Sequence, residues 1–181
     1  GESKRFSVAA GQFRYFVATV PHGAMGGGLN VAVTPFSGDP DLFVSLASNR
    51  PDSVAPECAA SSGHPSWCSG NAPGRYEHVE IGADDSRRCS LAECPYYIGV
   101  LAKNVASTFS VVAAWGDTPI RLVDGVPQAG QLGGAGAARA YKTRVAGSHT
   151  DLSIALTNTY GNAHIYVQAG HAASPAEPRR R

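Results

Sequence analysis

Two aspartates separated by a single proline are the first residues whose type and spacing suggest chemistry. Asp39 and Asp41 could offer carboxylate oxygens to Ca²⁺, an ion that takes about six to eight oxygen ligands. Two carboxylates are too few, so this hypothesis needs further acids such as Asp52, or Asp84 with Asp85. The alternative is a turn in which Asp39 accepts bonds from nearby backbone amides and Asp41 sits at the edge of the next strand.

Four cysteines lie in one loop-like stretch that is rich in Ser, Pro, Ala and Gly, namely Cys58, Cys68, Cys89 and Cys94. Their spacing lacks the paired Cys-x-x-Cys knuckles of a structural zinc site. An even number of cysteines in such surroundings predicts disulfides and an oxidising compartment. We favour the local pairs Cys58–Cys68 and Cys89–Cys94, because each bond then staples one loop, while a nested pairing stays open.

The same stretch carries an aromatic residue, Trp67, which stands close in sequence to Tyr76. Exposed aromatic rings often anchor sugars or partner proteins, so ligand contacts by Trp67 and Tyr76 are predicted. The alternative is that the loop packs Trp67 over its own disulfide.

Side chains suited to nucleophilic catalysis are present but scattered. The chain has 6 histidines at distant positions and no Gly-x-Ser-x-Gly elbow, so no catalytic triad can be assembled by position. The nearest group is the segment 62–70 around His64, inside the cysteine-bearing loop, where a structural role is more usual. We predict a protein that is not an enzyme and holds no cofactor.

Charge and composition narrow the class of protein further. With 15 Lys+Arg against 14 Asp+Glu and no basic stripe, a nucleic-acid partner has no electrostatic support. No apolar run approaches the roughly 20 residues that span a bilayer, so membrane insertion by this segment is not expected. Val, Ile, Thr, Tyr and Phe recur in short runs bounded by Gly, Pro, Asn and Asp, which predicts an all-β fold.

Alternation of apolar and polar residues locates the strands. The cleanest is Leu29 to Thr34, and we expect it to form a hairpin-like unit with 41–45. The other predicted strands are 12–20, 76–81 as an edge strand, 95–102 and 108–115. The core candidates of the last two strands are Tyr97, Phe109, Val111 and Trp115.

The strand pattern recurs after a shift in composition near residue 117. Arg139, Tyr141 and Val145 stand in the places of Arg14, Phe16 and Val20, the segment 152–157 repeats 29–34, Gly161 repeats Gly38, and 165–167 repeats 42–44. An internal repeat is therefore predicted.

This repeat sets the expected domain boundaries. We predict a first β-sandwich at 1–117 with a disulfide-stapled insertion at about 51–94, a partial second copy at 118–175, and a disordered tail at 176–181. The second copy has no counterpart of the cysteine loop or of the closing strands 96–115. A cut domain of this kind leaves an open sheet edge and an uncovered apolar face.

Three motifs in the first copy are distinctive in combination: GQFRYFVATV, LNVAVTPFSGDPDLFVS and CPYYIGVLAKNVASTFSVVAAW. Together they resemble the bacterial-type pre-peptidase C-terminal (PPC) domain, over residues 5–116 and again, incompletely, over 120–169. The resemblance implies a jelly-roll-like β-sandwich that is non-catalytic and is either attached to secreted proteases or repeated in large surface proteins. The chain departs from the family in its cysteine-bearing insertion, and in Asn162-Ala163-His164, which replaces the acidic turn in the second copy.

These observations predict a structural or adhesive module of a large secreted or cell-surface protein. Its expected partners are other domains of the same protein or extracellular proteins. The alternative is an accessory domain of a secreted hydrolase that holds polysaccharide or protein substrate. A further possibility is that a strand from another chain completes the second copy through β-augmentation.

Overall fold

The computed structural model describes residues 2–20, 27–51, 66–89, 91, 93–145 and 151–170. This part of the chain is all-β and contains no helix, and therefore none that is long and apolar enough to span a bilayer. The strands are β1 (Lys4–Val8), β2 (Phe13–Thr19), β3 (Leu29–Ser37), β4 (Pro40–Ser45), β5 (Ser66–Ser69), β6 (Glu77–Ile81), β7 (Pro95–Ala102), β8 (Ser107–Trp115), β9 (Ile120–Arg121) and β10 (Tyr141–Lys142).

Eight strands form two antiparallel sheets that pack face to face. The front sheet has the order β1-β8-β3-β6, and the back sheet has the order β2-β7-β4-β5. The pairs β1–β8, β2–β7, β3–β6 and β4–β5 are those of one long hairpin rolled up on itself, which is the topology of a jelly roll. The predicted all-β, jelly-roll-like sandwich is confirmed.

Alternating residues of both sheets form the core, as period-two side-chain geometry requires. The buried cluster is Val20, Leu29, Val31, Val33, Leu42, Val44, Trp67, Val79, Ile81, Tyr96, Ile98, Val100, Phe109 and Val111. Phe109 and Val111 were predicted core residues, and Trp115 packs against the cluster while partly buried. Tyr97 as a core residue is wrong, because Tyr96 shares the inward face of β7 with Ile98 and Tyr97 therefore faces outward.

The turn between β3 and β4 is a corner between sheets, so the expected hairpin-like pairing of these strands is wrong. β3 pairs with β8 and β6, whereas β4 pairs with β7 and β5. Gly38 has φ 81°, and a Cβ there would lie 2.7 Å from Cα of Ser107. A side chain at this corner would collide with the start of β8, so glycine is required.

The stretch 51–94, predicted as an insertion, supplies two strands of the sandwich. β5 is the edge of the back sheet, and β6 is the edge of the front sheet, as expected for the run 76–81. Residues 52–65 of this stretch lie outside the described residues.

The second part of the chain has little regular structure among its described residues. β9 and β10 pair in parallel, with Ile120 opposite Tyr141, and residues 151–170 form no strand. Residues 146–150 and 171–181, including the predicted tail, lie outside the described residues. The boundary near 117 and the tandem arrangement stay predictions.

Candidate functional site

The acidic turn predicted as a calcium site lies at the entry of β4. The side chains of Asp39 and Asp41 are both buried. The backbone N–H of Asp39 donates to Oγ of Ser107 at 3.0 Å, and its carbonyl accepts from the N–H of Lys103 at 3.3 Å. Nζ of Lys103 lies 3.6 Å from Oδ2 of Asp41. Burial raises the pKa of Asp41, and the Lys103 ammonium opposes this rise.

A third acid that the sequence did not single out, Glu77, lies near these two. It occupies an inward position of β6 and is 1% exposed. Its carboxylate accepts bonds from Oγ of Ser69 at 2.5 Å and from the N–H of Asn71 at 3.0 Å. Burial raises the pKa of Glu77, the bonds from Ser69 and Asn71 oppose this, and the negative charges of Asp41 and Asp39 add to it. Glu77 thus holds the β5–β6 turn.

The described residues contain no group of three or more His, Cys, Asp and Glu side chains that could hold a metal ion. Glu77 is occupied by Ser69 and Asn71, and Asp41 faces Lys103. Asp52 lies outside the described residues. Calcium binding by Asp39 and Asp41 stays a prediction.

Trp67, predicted as a ligand contact, is instead a buried anchor of β5. Its Nε1–H donates to Oδ2 of Asp85 at 2.9 Å, and its ring lies 6.0 Å from that of Tyr96. The guanidinium of Arg87 sits 5.0 Å above the same ring and 2.8 Å from Oδ2 of Asp85. Hydrogen bonding from Arg87 lowers the pKa of Asp85 to about 2. The free aromatic face that ligand contact requires is therefore not present at Trp67.

Tyr76, the second predicted contact, is half-buried beside the front sheet. Its hydroxyl donates to Oε1 of Gln131 at 3.4 Å, which joins it to the segment that follows the sandwich. Trp67 and Tyr76 therefore do not share one platform, since the two side chains have separate partners.

The predicted disulfide Cys89–Cys94 is present, with Cα atoms 6.3 Å apart. The N–H of Cys89 donates to the hydroxyl of Tyr96 at 3.0 Å, so the bond is tied to the core beside Trp67. Cys68 is disulfide-bonded as well, whereas Cys58 lies outside the described residues. A cavity of about 10 Å³ beside this loop has room for one water molecule rather than a substrate.

The outer side of the back sheet carries the most exposed aromatic surface of the sandwich. We name Phe13, Tyr15, Val17, Phe43 and Tyr97 the aromatic face; they alternate with inward residues along β2, β4 and β7. The rings of Phe13 and Tyr15 are nearly parallel, with an interplanar angle of 4° and centroids 5.5 Å apart. Tyr15 is 38% and Val17 is 61% exposed. Among the described strands β2 pairs with β7 alone, so this surface extends to the outermost strand of the back sheet.

Pro51 covers part of the aromatic face. A Cβ on Gly99 would lie 2.7 Å from the carbonyl oxygen of Pro51 and 3.3 Å from the ring of Tyr15. Because Gly99 has no side chain, it leaves the space that Pro51 fills. Val17 and Tyr15 remain exposed to solvent on strand β2.

The outer side of the front sheet is covered by residues 118–131, which we call the strap. Ile120 is buried against Ala32, Val112 and Ala114. The N–H of Ala129 donates to Oγ1 of Thr34 at 2.8 Å, and Oγ of Ser110 donates to the carbonyl of Pro127 at 3.3 Å. The segment that begins the predicted second copy is thus fixed to the first sandwich.

The chain matches no model of a known protein family and no curated protein. The resemblance to the PPC domain stays an expectation. The aromatic face is the surface on which the proposed function rests. Its signal in the sequence was the outward register of the aromatic residues in GQFRYFV and YYIGV, which depends on knowing which face is buried.

Proposed function

We propose that the chain is a non-catalytic structural and adhesive module of a secreted or cell-surface protein. The observation that carries this proposal is the aromatic face on β2, which is the outermost strand of the back sheet among the described residues and on which Tyr15 and Val17 are exposed. Apolar surface at a sheet edge favours contact with another polypeptide, through side-chain burial and added backbone hydrogen bonds.

Two further features support a module that works in series outside the cell. The strap holds the beginning of the following segment against the front sheet through buried Ile120 and two hydrogen bonds. The Cys89–Cys94 disulfide is of the kind that persists in oxidising compartments. Both features suit a component of an extracellular assembly.

The experiment coats particles with the chain and measures their attachment to collagen fibres and to fibronectin, and to cellulose and chitin. The proposal expects attachment to one of the protein surfaces, with a loss of at least tenfold in the Val17→Asp variant, because a charge at this edge opposes burial. Val105→Asp is the matched control, since Val105 is 49% exposed in the turn between β7 and β8 and is not part of the aromatic face. Equal loss in both variants would contradict the proposal.

A second function, the holding of polysaccharide for a hydrolase, is favoured by the parallel rings of Phe13 and Tyr15. Aromatic faces stack on sugar rings, whereas protein contacts at this site depend more on the edge strand. Attachment only to cellulose or chitin, lost in Tyr15→Ala and kept in Val17→Thr, would select this alternative over protein adhesion.

A further inference from the structure

The core of the sandwich is complete without the strap. The buried cluster between the two sheets contains no residue of the strap. Ile120 belongs instead to a separate small cluster with Ala32, Val112 and Ala114, on the outer side of the front sheet. Lifting the strap from this side would leave the pairing of both sheets and the main core in place. The strap is therefore able to open while the sandwich stays folded.

The contact between the strap and the front sheet contains polar atoms without partners. Among the described residues, the buried side-chain atoms that lack a hydrogen-bond partner are Oγ of Ser3, Nδ2 of Asn30, Nε2 of His78 and Oε1 of Gln128. Asn30 and His78 lie on β3 and β6 in alternation with inward residues, and Gln128 belongs to the strap. Ser3 directly follows the residue that bridges to Arg121 of the strap. A buried polar atom without a partner costs free energy, so these atoms weaken the closed strap.

His78 is the residue of this group that gains a charge near neutral pH. It stands opposite Ala32 in the pairing of β6 with β3, and Ala32 packs against Ile120 of the strap. Asn30 and Thr34, the neighbours of Ala32 on the same side of β3, carry no charge. A proton on His78 would thus add a charge where the strap lies on the sheet.

The charges around His78 come from several elements. The titratable groups on this side of the molecule are Glu80 on β6, Arg139 before β10, Arg121 and Asp124 in the strap, and the phenols of Tyr76 and Tyr141. Arg121 is paired with Glu2, and phenols are uncharged in mild acid. Burial is the main cause that lowers the pKa of His78, while Glu80 opposes this and Arg139 adds to it. Lifting the strap would expose the ring and move its pKa back toward 6.5, so acid favours the open strap.

We propose that the strap is a latch that opens in mildly acidic solution while the sandwich stays folded, and that His78 is the group that releases it. At neutral pH, burial of Ile120 and the hydrogen bonds that join Ala129 and Ser110 across the contact hold the strap closed. A proton on His78 adds a positive charge that Arg139 repels, at a buried nitrogen that has no hydrogen-bond partner. Opening uncovers the outer side of the front sheet and frees the segment that follows the sandwich. The latch goes beyond the proposed function, because the aromatic face lies on the other sheet.

The test measures amide hydrogen exchange of the whole chain by NMR, as protection relative to the intrinsic exchange rate at each pH. The reporters are the amides of Ile120, Leu122 and Ala129, which donate hydrogen bonds that close the strap, and the amides of β3 report on the sandwich. Protection of the strap amides is expected to fall about fivefold between pH 7.5 and pH 5.5. The β3 amides are expected to stay about a hundredfold or more better protected than the strap amides at both pH values.

Variants assign the change to His78. His78→Gln should remove the pH dependence of strap protection, and the exposed His164→Gln is the matched control that should keep it. Arg139→Gln should weaken the pH dependence without altering His78, because it removes the charge that opposes the proton. Strap protection that is independent of pH, or that changes equally in His78→Gln, overturns the proposal. Equal protection of the strap and of β3 also overturns it, because the strap then opens only when the whole sandwich unfolds.

Discussion

Trp67 and Asp85 are joined by a 2.9 Å hydrogen bond from the indole Nε1–H to a carboxylate oxygen. The bond connects β5, at the edge of the back sheet, to the loop that follows β6 in the front sheet. Arg87 binds the same carboxylate and covers the indole ring. One buried indole therefore fastens the edges of both sheets.

Asp85→Asn should destabilise the sandwich by about 1 to 2 kcal/mol at pH 7, because the carboxylate loses its charge-assisted bonds to Arg87. Arg87 lowers the pKa of Asp85 from 3.8 to about 2, so this stability is present above pH 3.8 and is lost as the pH falls toward 2. Urea unfolding followed by tryptophan fluorescence at pH 7 and pH 3 measures the difference. The exposed neighbour Asp84→Asn is the control, and an equal loss in both variants would contradict the assignment.

His78 should make the sandwich less stable in mild acid. Burial lowers the pKa of His78 below 6.5, while Glu80 opposes this and Arg139 adds to it. The unfolded chain therefore binds a proton at a higher pH than the folded chain, and stability falls as the pH drops below 6.5. His78→Gln should remove this contribution. The difference between wild type and variant in urea unfolding at pH 7.5 and pH 5.5 isolates it, and a pH-independent difference would count against it.

Ile120→Ala should loosen the strap from the front sheet. The side chain is buried against Ala32, Val112 and Ala114, and its truncation costs about 2 kcal/mol, or roughly thirtyfold in the population of the detached strap. Tryptic cleavage at Arg121, measured under native conditions, should accelerate accordingly. Leu132→Ala, at a residue that is 42% exposed, is the control and should leave the rate unchanged. Unchanged cleavage in Ile120→Ala would show that the strap is held elsewhere.

Replacing Cys89 and Cys94 by serine should lower the free energy of unfolding by about 2 kcal/mol, since the loop that the bond closes is short. The loss should be accompanied by a change in the environment of Tyr96, whose hydroxyl accepts the N–H of Cys89. Chemical unfolding and near-ultraviolet circular dichroism provide the two measurements. A variant with wild-type stability would mean that the core alone holds this loop.

Local alternation was sufficient to predict most strands, because a half-buried strand must place every second residue inside. Leu29, Val31 and Val33 alternate along the cleanest predicted strand and are all buried. Alternation could not choose between the adjacent residues Tyr96 and Tyr97. That choice depends on the register of β7 against its neighbours, which is a property of the assembled sheet.

Longer-range relationships escaped prediction for a similar reason. The turn at Gly38 was visible, but only the pairing of β3 with β8 and of β4 with β7 decides that it is a corner between sheets. The role of Glu77 did leave a signal, namely an acid in alternation with Val79 and Ile81 on an apolar strand face. Apart from the apolar residue Ile120, the strap left little signal, since its other contacts to the front sheet are hydrogen bonds that involve backbone groups.

The pairing of β1 with β8 has a mechanical consequence. Because these strands are antiparallel and adjacent, the start of β1 lies beside the middle of β8, with Lys4 opposite Val111. Tension applied through the two ends of the sandwich would pull both strands from the same end and would break their hydrogen bonds one pair after another. The contact between Glu2 and Arg121, with Oε2 and Nη1 3.9 Å apart, lies outside the β1–β8 pairing and would break first. Because the pairs would be loaded one at a time, we expect this sandwich to yield at a lower force than one whose terminal strands are pulled along each other.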